Sequence, residues 1–208
     1  MPSSRTNLEI EIKLRVADLP ALVRRLRRLG AVTRGRVLER NTIFDTPDAA
    51  FRRQGRLLRF RIDAPARSVF SPAGPSRAAL TSKAPAPLRS GRGSRSAARP
   101  LYKEKLEREL VIRAPRRWSS ILRSLGFCPG FYYEKYRTTF RLGRLHLDLD
   151  ETPVGIFLEL EGNPQMIGRV SRKLGYSPAD YIRSTYWGLN AADCRRRGRI
   201  PGNMVFHS

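Results

Sequence analysis

Apolar and charged residues alternate over several short stretches of the chain, and the first stretch lies near its start. Glu9, Glu11 and Lys13 alternate with Ile10 and Ile12. In a β-strand, residues two apart point to the same face, so the three charges share one face and the isoleucines share the other. The same alternation recurs at residues 105–110, 145–150 and 158–161. Each stretch is predicted to be a strand with one charged face.

A second group of predicted strands carries positive charge on one face. Arg59 and Arg61 flank one aromatic residue, Lys135 and Arg137 flank another, and Lys83 follows a short apolar run. For any single stretch, the simpler alternative is a half-exposed antiparallel strand whose charged face is solvated. Ordinary solvated faces mix their signs, however, whereas this chain places carboxylate pairs and Arg/Lys pairs in phase along separate strands. The recurrence favours a shared function for the charged faces.

Helices are predicted after three of the acidic strands, and the first begins near Asp18 and Pro20. Each predicted helix ends at a Leu-Gly pair, which is typical of a left-handed helix C-cap. The three glycines are Gly30, Gly126 and Gly175. Further strands are predicted near residues 35–46, 56–63, 78–83, 131–141 and 144–151. The pattern predicts an α+β fold with a predominantly antiparallel sheet and helices packed outside it.

The inward charges determine what such a sheet must enclose. Burying each charge dry and unpaired would cost several kcal/mol, so a closed barrel or tunnel around water, metal and ligand is the expected solution. Neighbouring carboxylates such as Glu9 and Glu11 repel each other, and a divalent cation accepts oxygens from both. Lys13 would then offer positive charge to an anion held by the metal. This combination is the chemistry of a metal-bound phosphate chain.

The composition strengthens the expectation of an anionic partner. The chain of 208 residues has 41 Lys and Arg against 18 Asp and Glu, a formal net charge of +23. Polyphosphate, a nucleotide, nucleic acid or a membrane surface would complement it. Residues 65–100 contain seven Lys or Arg and no acidic residue, and they are predicted to form a mobile loop; 191–208 is predicted to be a basic tail. Loose RNA binding at low salt would follow from charge alone.

The hydropathy of the chain and the spacing of its cysteines bear on its compartment and on membrane contact. No apolar run approaches the ~20 residues that span a bilayer, and the N-terminus lacks the apolar core of a signal peptide. Cys128 and Cys194 lie far apart without metal-ligand spacing. We therefore expect reduced thiols, a cytoplasmic protein and no membrane partner.

Seven segments occur in the order expected of the CYTH superfamily, the triphosphate tunnel metalloenzymes. They are EIEIK at 9–13, NTIFD at 41–45, LRFR at 58–61, LTSKAP at 80–85, KLERE at 105–109, KYR at 135–137 and the acidic segment 149–161. The chain resembles this family over roughly residues 8–190. The resemblance implies an eight-stranded antiparallel β-barrel domain over 5–190, which forms a triphosphate tunnel and binds Mg²⁺ or Mn²⁺.

The resemblance also implies roles for individual residues. Catalytic roles fall to Glu9, Glu11 and Lys13. The metal-binding candidates are Glu9, Glu11, Asp150, Glu159 and Glu161. The triphosphate-binding candidates are Lys13, Arg59, Arg61, Lys83, Lys105, Lys135 and Arg137. Glu107, Glu109 and Asp148 complete the acidic set, and an alignment shifted by two residues would exchange the roles of Asp148 and Asp150.

Three functions from different classes are compatible with these residues. The first is metal-dependent hydrolysis of inorganic triphosphate or a small organic triphosphate. The second is a class IV adenylyl cyclase, which is disfavoured because residues 1–8 lack the His-Phe pair that precedes the acidic strand in some bacterial cyclases. The third is a non-catalytic binder of polyphosphate or RNA, with nonspecific contacts through the basic surface. We expect a monomer or a homodimer.

Overall fold

Eight strands close into a single barrel in the computed structural model, which describes residues 7–87 and 101–206. The order around the barrel is β1-β5-β4-β3-β2-β6-β7-β8, and every neighbouring pair is antiparallel. The strands are β1 (Asn7–Val16), β2 (Val32–Asp45), β3 (Leu57–Ala66), β4 (Arg77–Pro85), β5 (Lys103–Val111), β6 (Cys128–Leu142), β7 (Leu145–Thr152) and β8 (Gly155–Glu161). The predicted α+β fold with an antiparallel eight-stranded barrel is confirmed.

Five helices pack outside the barrel in the described part of the chain. They are α1 (Leu19–Arg28), α2 (Ala50–Arg53), α3 (Pro115–Ser124), α4 (Pro164–Lys173) and α5 (Tyr186–Arg196). The carboxylate of Asp18 caps α1 by accepting a hydrogen bond from the backbone N–H of Ala21 at 2.8 Å. Gly30, Gly126 and Gly175 follow α1, α3 and α4 with φ of +84°, +84° and +92°, the left-handed conformation predicted for these C-caps.

The largest hydrophobic core lies between the outer face of the barrel and two helices. Outward-facing residues of β1 and β8 such as Leu14 and Leu160 are fully buried there, together with Leu26 of α1 and Ile167 of α4. The alternation of side chains along each strand places the charged partners of these residues on the inner face. The barrel therefore has an apolar outside, where the helices cover it, and a charged inside.

Two smaller cores attach the remaining helices. Phe44 and Leu58 pack with Leu122 of α3, and Phe131 and Phe157 pack with the first turn of α5. The chain beyond α5 returns to the barrel, where the backbone of Met204 bonds with both neighbours of Tyr133 on β6, at 3.0 and 2.8 Å.

Strands and a helix occupy parts of the two basic segments, 65–100 and 191–208, that the structure describes. β3 extends to Ala66, β4 occupies Arg77–Pro85, and residues 67–76 join them. Residues 88–100 lie outside the described residues, as do 1–6 and 207–208. Helix α5 runs through the boundary placed after residue 190. No helix of the described residues is long and apolar enough to cross a membrane.

Truncation of one fully buried residue tests how much the largest core contributes to the free energy of unfolding. We expect Leu160→Ala to lower the free energy of unfolding by about 2–5 kcal/mol, because it removes apolar contacts and leaves a cavity between β8 and the helices. Urea unfolding followed by circular dichroism measures this change. Leu125→Ala, at a position that is 67% exposed, should stay within about 0.5 kcal/mol of the native protein. Equal losses in the two variants would contradict the placement of the core.

Candidate functional site

A cavity of about 1300 Å³ occupies the barrel and is lined by residues from all eight strands. Its wall contains every site residue proposed from the sequence except Asp150, which lies beneath it. The lining residues from that set are Glu9, Glu11, Lys13, Arg59, Arg61, Lys83, Lys105, Glu107, Glu109, Lys135, Arg137, Asp148, Glu159 and Glu161. Residues as far apart in sequence as Glu9 and Glu161 thus meet in one charged space.

Four carboxylates lie side by side on the adjacent strands β1 and β8. Glu11 is paired in register with Glu161, Lys13 is paired with Glu159, and Glu9 lies two residues before Glu11 on the same face. Burial raises the pKa of Glu9 to about 7; the attraction of Lys83 opposes the rise, while the negative charges of Glu11 and Glu107 add to it. The rise is therefore mainly a consequence of burial, with a smaller contribution from the neighbouring carboxylates.

Lysines contact three of these four carboxylates. The Nζ of Lys83 lies 2.6 Å from both carboxylate oxygens of Glu9 and 3.0 Å from Oε2 of Glu107. On the other side, Lys103 donates to Glu11, and Lys13 lies 3.3 Å from Glu159. Three predicted metal-binding residues, Glu9, Glu11 and Glu159, are therefore each in contact with an ammonium group.

The acidic wall fits a divalent cation in its donor chemistry. Mg²⁺ and Mn²⁺ are held by hard carboxylate oxygens, and β1 and β8 present four carboxyl groups to one space. The ammonium of Lys83, seated between Glu9 and Glu107, shows that a positive charge is stabilised there. Within residues 7–87 and 101–206, no three His, Cys, Asp or Glu side chains form a cluster already arranged around a metal position.

A second part of the wall is cationic and is built mainly by β3 and β6. Arg137 contacts four carboxylates, with Nη1 at 2.8 Å from Asp148, Nη2 at 2.6 Å from both Asp150 and Glu159, and Nε at 3.5 Å from Glu39. Arg59 is less saturated, because its Nη2 donates to Thr81 at 3.3 Å and its Nε–H has no hydrogen-bond partner among the described residues. A buried donor without a partner costs free energy, so Arg59 is suited to an anionic ligand.

Asp148 and Asp150, whose roles an alignment shifted by two residues would exchange, have different surroundings in the structure. Asp148 lines the cavity, whereas Asp150 is fully buried and accepts hydrogen bonds from Lys135, Arg137 and Tyr186 at 2.5–2.8 Å. In this arrangement Asp150 orients two of the predicted phosphate-binding cations. Its role in metal binding stays a prediction.

Several residues that line the cavity were absent from the set of site residues proposed from the sequence. Lys103 shares the phase of Lys105 on β5, so the same two-residue period could have found it. Glu39 is the only carboxylate that β2 contributes between Val32 and Phe44, and this isolated charge gave no repeating signal. Tyr186 belongs to α5, and its contact with Asp150 depends on how that helix packs.

The first turn of α5 forms part of the cavity wall. The ring of Tyr186 lies 4.1 Å from Nζ of Lys13 and 4.7 Å from Nζ of Lys135, distances typical of cation–π contacts. Trp187 packs edge-on against Phe131, with ring centroids 5.0 Å apart, and both line the cavity. The aromatic residues near the C-terminus thus serve both packing and the wall of the site.

Solved structures share this architecture at low sequence identity. A proposed adenylate cyclase from Vibrio parahaemolyticus has a TM-score of 0.67 at 18% identity, with 89% of this chain and 98% of that chain covered. A protein from Pyrococcus horikoshii OT3 has a TM-score of 0.65 at 21% identity, with 87% and 97% covered. These likenesses show the shared fold.

A third structure adds a described activity for a relative. It is a proposed adenylyl cyclase from Hippeastrum that is described as having a dominant triphosphatase activity, and it has a TM-score of 0.55 at 17% identity, with 92% and 97% covered. No protein with a curated description matches the sequence at a significant level. The sequence matches the CYTH domain over residues 7–186, the span that contains all eight strands and the whole acidic and cationic lining described above. The chain belongs to the CYTH domain family.

Proposed function

We propose that the protein is a divalent-metal-dependent triphosphatase that hydrolyses inorganic triphosphate or a small organic triphosphate inside the barrel. The observation that carries this proposal is the division of a single cavity into an acidic wall on β1 and β8 and a cationic wall on β3 and β6. A triphosphate needs positive side chains for its oxygens, and its metal ions need carboxylates. The dominant triphosphatase activity described for the Hippeastrum relative supports the same choice.

The cationic wall would bind and orient the phosphate chain. Arg59 and Arg61 present planar guanidinium groups that suit bidentate contacts with phosphate oxygens, whereas Lys135 supplies a compact charge. Lys13 on β1 and Lys83 on β4 would add compact charges from outside this wall. In the transition state, negative charge on the transferred phosphoryl group and the leaving group would be stabilised by the same side chains. Such a mechanism requires no protein nucleophile.

The acidic wall would hold the divalent cations, with Glu9, Glu11, Glu159 and Glu161 as the lining candidates and Asp150 as the buried one. When bound, a divalent cation supplies Lewis-acid polarisation of phosphate oxygens and lowers the pKa of a coordinated water. Lys83 and Lys103, which now contact Glu9 and Glu11, would be released toward the phosphates when those carboxylates change partners.

Adenylyl cyclase activity is the second candidate function, and the size and the lining of the cavity support it. The cavity has a volume of about 1300 Å³, which is larger than that of common ligand pockets, about 300–1,000 Å³. Phe131 and Trp187 offer aromatic surface beside the charged residues. A nucleoside could be accommodated there. Incubation with ATP and separation of phosphate, pyrophosphate and cyclic AMP distinguishes the reactions, since only cyclisation yields cyclic AMP with pyrophosphate.

Removal of one charge from the acidic wall tests the catalytic proposal. We expect Glu9→Gln to lower metal-dependent release of phosphate from inorganic triphosphate by about 100-fold or more, because the amide is a poor ligand for a hard divalent cation. Phosphate release is measured with Mg²⁺, with Mn²⁺ and with chelator, and chelator should abolish it in the unmodified protein.

The matched control is Glu104→Gln, which makes the same chemical change on β5 at an exposed position outside the cavity lining. Its turnover should equal that of the unmodified protein. Retention of triphosphate binding together with no turnover in any protein would instead support a non-catalytic binder. Full activity of Glu9→Gln would contradict the assignment of the acidic wall.

A second substitution tests the cationic wall. We expect Arg59→Lys to raise KM for inorganic triphosphate about tenfold with a smaller effect on kcat, because lysine cannot reproduce the two-point contact of a guanidinium with phosphate. Steady-state kinetics over a range of triphosphate concentrations measures the change. Arg24→Lys on the exposed face of α1 is the control and should leave KM unchanged. Equal KM values in all three proteins would show that Arg59 does not bind the phosphate chain.

A further inference from the structure

Glu39 places a carboxylate among the cations of the phosphate-binding wall. It lies on β2, lines the cavity and is only 2% exposed. Its Oε1 lies 3.6 Å from Nη1 of Arg61 and 3.5 Å from Nε of Arg137, and its Oε2 lies 3.4 Å from Nζ of Lys135. All three cations are residues proposed above to bind phosphate.

The contacts of Glu39 are longer than those that the same cations make with other carboxylates. Lys135 and Arg137 approach Asp150 at 2.8 and 2.6 Å, within the range of strong charge-assisted hydrogen bonds. The only hydrogen bond that Glu39 accepts within the described residues is from Nδ2 of Asn41, at 3.4 Å. Asp150 is thus tightly bound beneath the cavity lining, whereas Glu39 is held by longer contacts in the lining itself.

Glu39 is ionised in this setting. Burial alone would raise the pKa of its carboxyl, but the positive charges of Arg137, Lys135, Arg61 and Arg59 outweigh burial and lower it far below its ordinary value. The carboxylate therefore provides one buried negative charge that faces the same guanidinium and ammonium groups as an incoming phosphate would. Like charges in one low-dielectric site disfavour each other.

We propose that Glu39 is a resident anion of the tunnel, which competes with the phosphate groups of the ligand for Arg61, Lys135 and Arg137 and so limits the affinity for phosphate chains. The proposal rests on the proposed triphosphate site. In the free protein Glu39 compensates part of the charge of the cationic wall. When a triphosphate binds, the cations turn to the phosphate oxygens, and the displaced carboxylate weakens retention of substrate and products.

If Glu39 competes with phosphate, removal of its charge should strengthen the binding of triphosphate, whereas removal of a purely structural ion pair should weaken it. Glu39→Gln keeps the size of the side chain but removes its charge, so inorganic triphosphate should bind at least tenfold more tightly, a change of about 1.4 kcal/mol. Isothermal titration calorimetry with inorganic triphosphate in the presence of EDTA measures the dissociation constant without turnover. A thermal melt of the unliganded variant should show a lower Tm, because the buried cations lose a counter-ion.

Asp150→Asn is the matched control, since it removes one negative charge from the same Lys135 and Arg137 at a site outside the cavity lining. Its affinity for inorganic triphosphate should not rise, because the loss of its short contacts disorders both cations. An equal gain in the two variants would overturn the proposal by showing that net charge alone sets the affinity. An unchanged or weaker affinity in Glu39→Gln would overturn it directly.

Glu39→Asp provides the test if Glu39→Gln does not fold. It retains the charge but withdraws the carboxylate by one methylene, so it should bind inorganic triphosphate more tightly than the unmodified protein does; no gain would overturn the proposal. The failure of the proposed function is recognised separately. If the unmodified protein does not bind millimolar inorganic triphosphate, the phosphate site itself is wrong, whereas binding without a gain in the variants refutes only the role of Glu39.

Discussion

Charge compensation inside a closed barrel is the constraint on which this structure depends. An unpaired charge buried away from water costs several kcal/mol, and the lumen contains charged side chains from every strand. The cost is met by pairing across strands, as Arg137 of β6 does with Asp150 of β7 and Glu159 of β8. Closure of the barrel brings these partners together, and the partners in turn make a charged interior tolerable.

The hydrophobic core is consequently displaced to the outside of the barrel. Leu14, Leu147 and Leu160 face away from the lumen and are fully buried beneath α1 and α4. The helices therefore supply the apolar contacts that the interior cannot, while the interior remains free for a polar ligand. Stability and function are assigned to opposite faces of the same strands, so a one-residue shift of register would destroy both.

The same pairing gives the proposed active site its balance. Carboxylates suited to divalent cations contact Lys83, Lys103 and Lys13, and the guanidinium of Arg137, which suits phosphate, contacts Asp148 and Glu159. Metal ions and triphosphate would each take over one side of these ion pairs. A ligand with both charges can thus replace internal contacts with its own, which is consistent with the membership of the CYTH domain family and with the activity described for a relative.

The sequence by itself determined which residues share a face, because the two-residue period of a strand is a local property of the chain. It thereby predicted the charged strands, three helix ends and fourteen of the charged residues that line the cavity. The tertiary structure decided which strands are neighbours, since pairs such as β1 with β5 and β2 with β6 join segments far apart in sequence. That pairing buries Asp150 beneath the cavity lining, places Tyr186 in contact with it and surrounds Glu39 with cations. An isolated acidic residue and a helix contact carry no periodic signal, so only the closed barrel could reveal them.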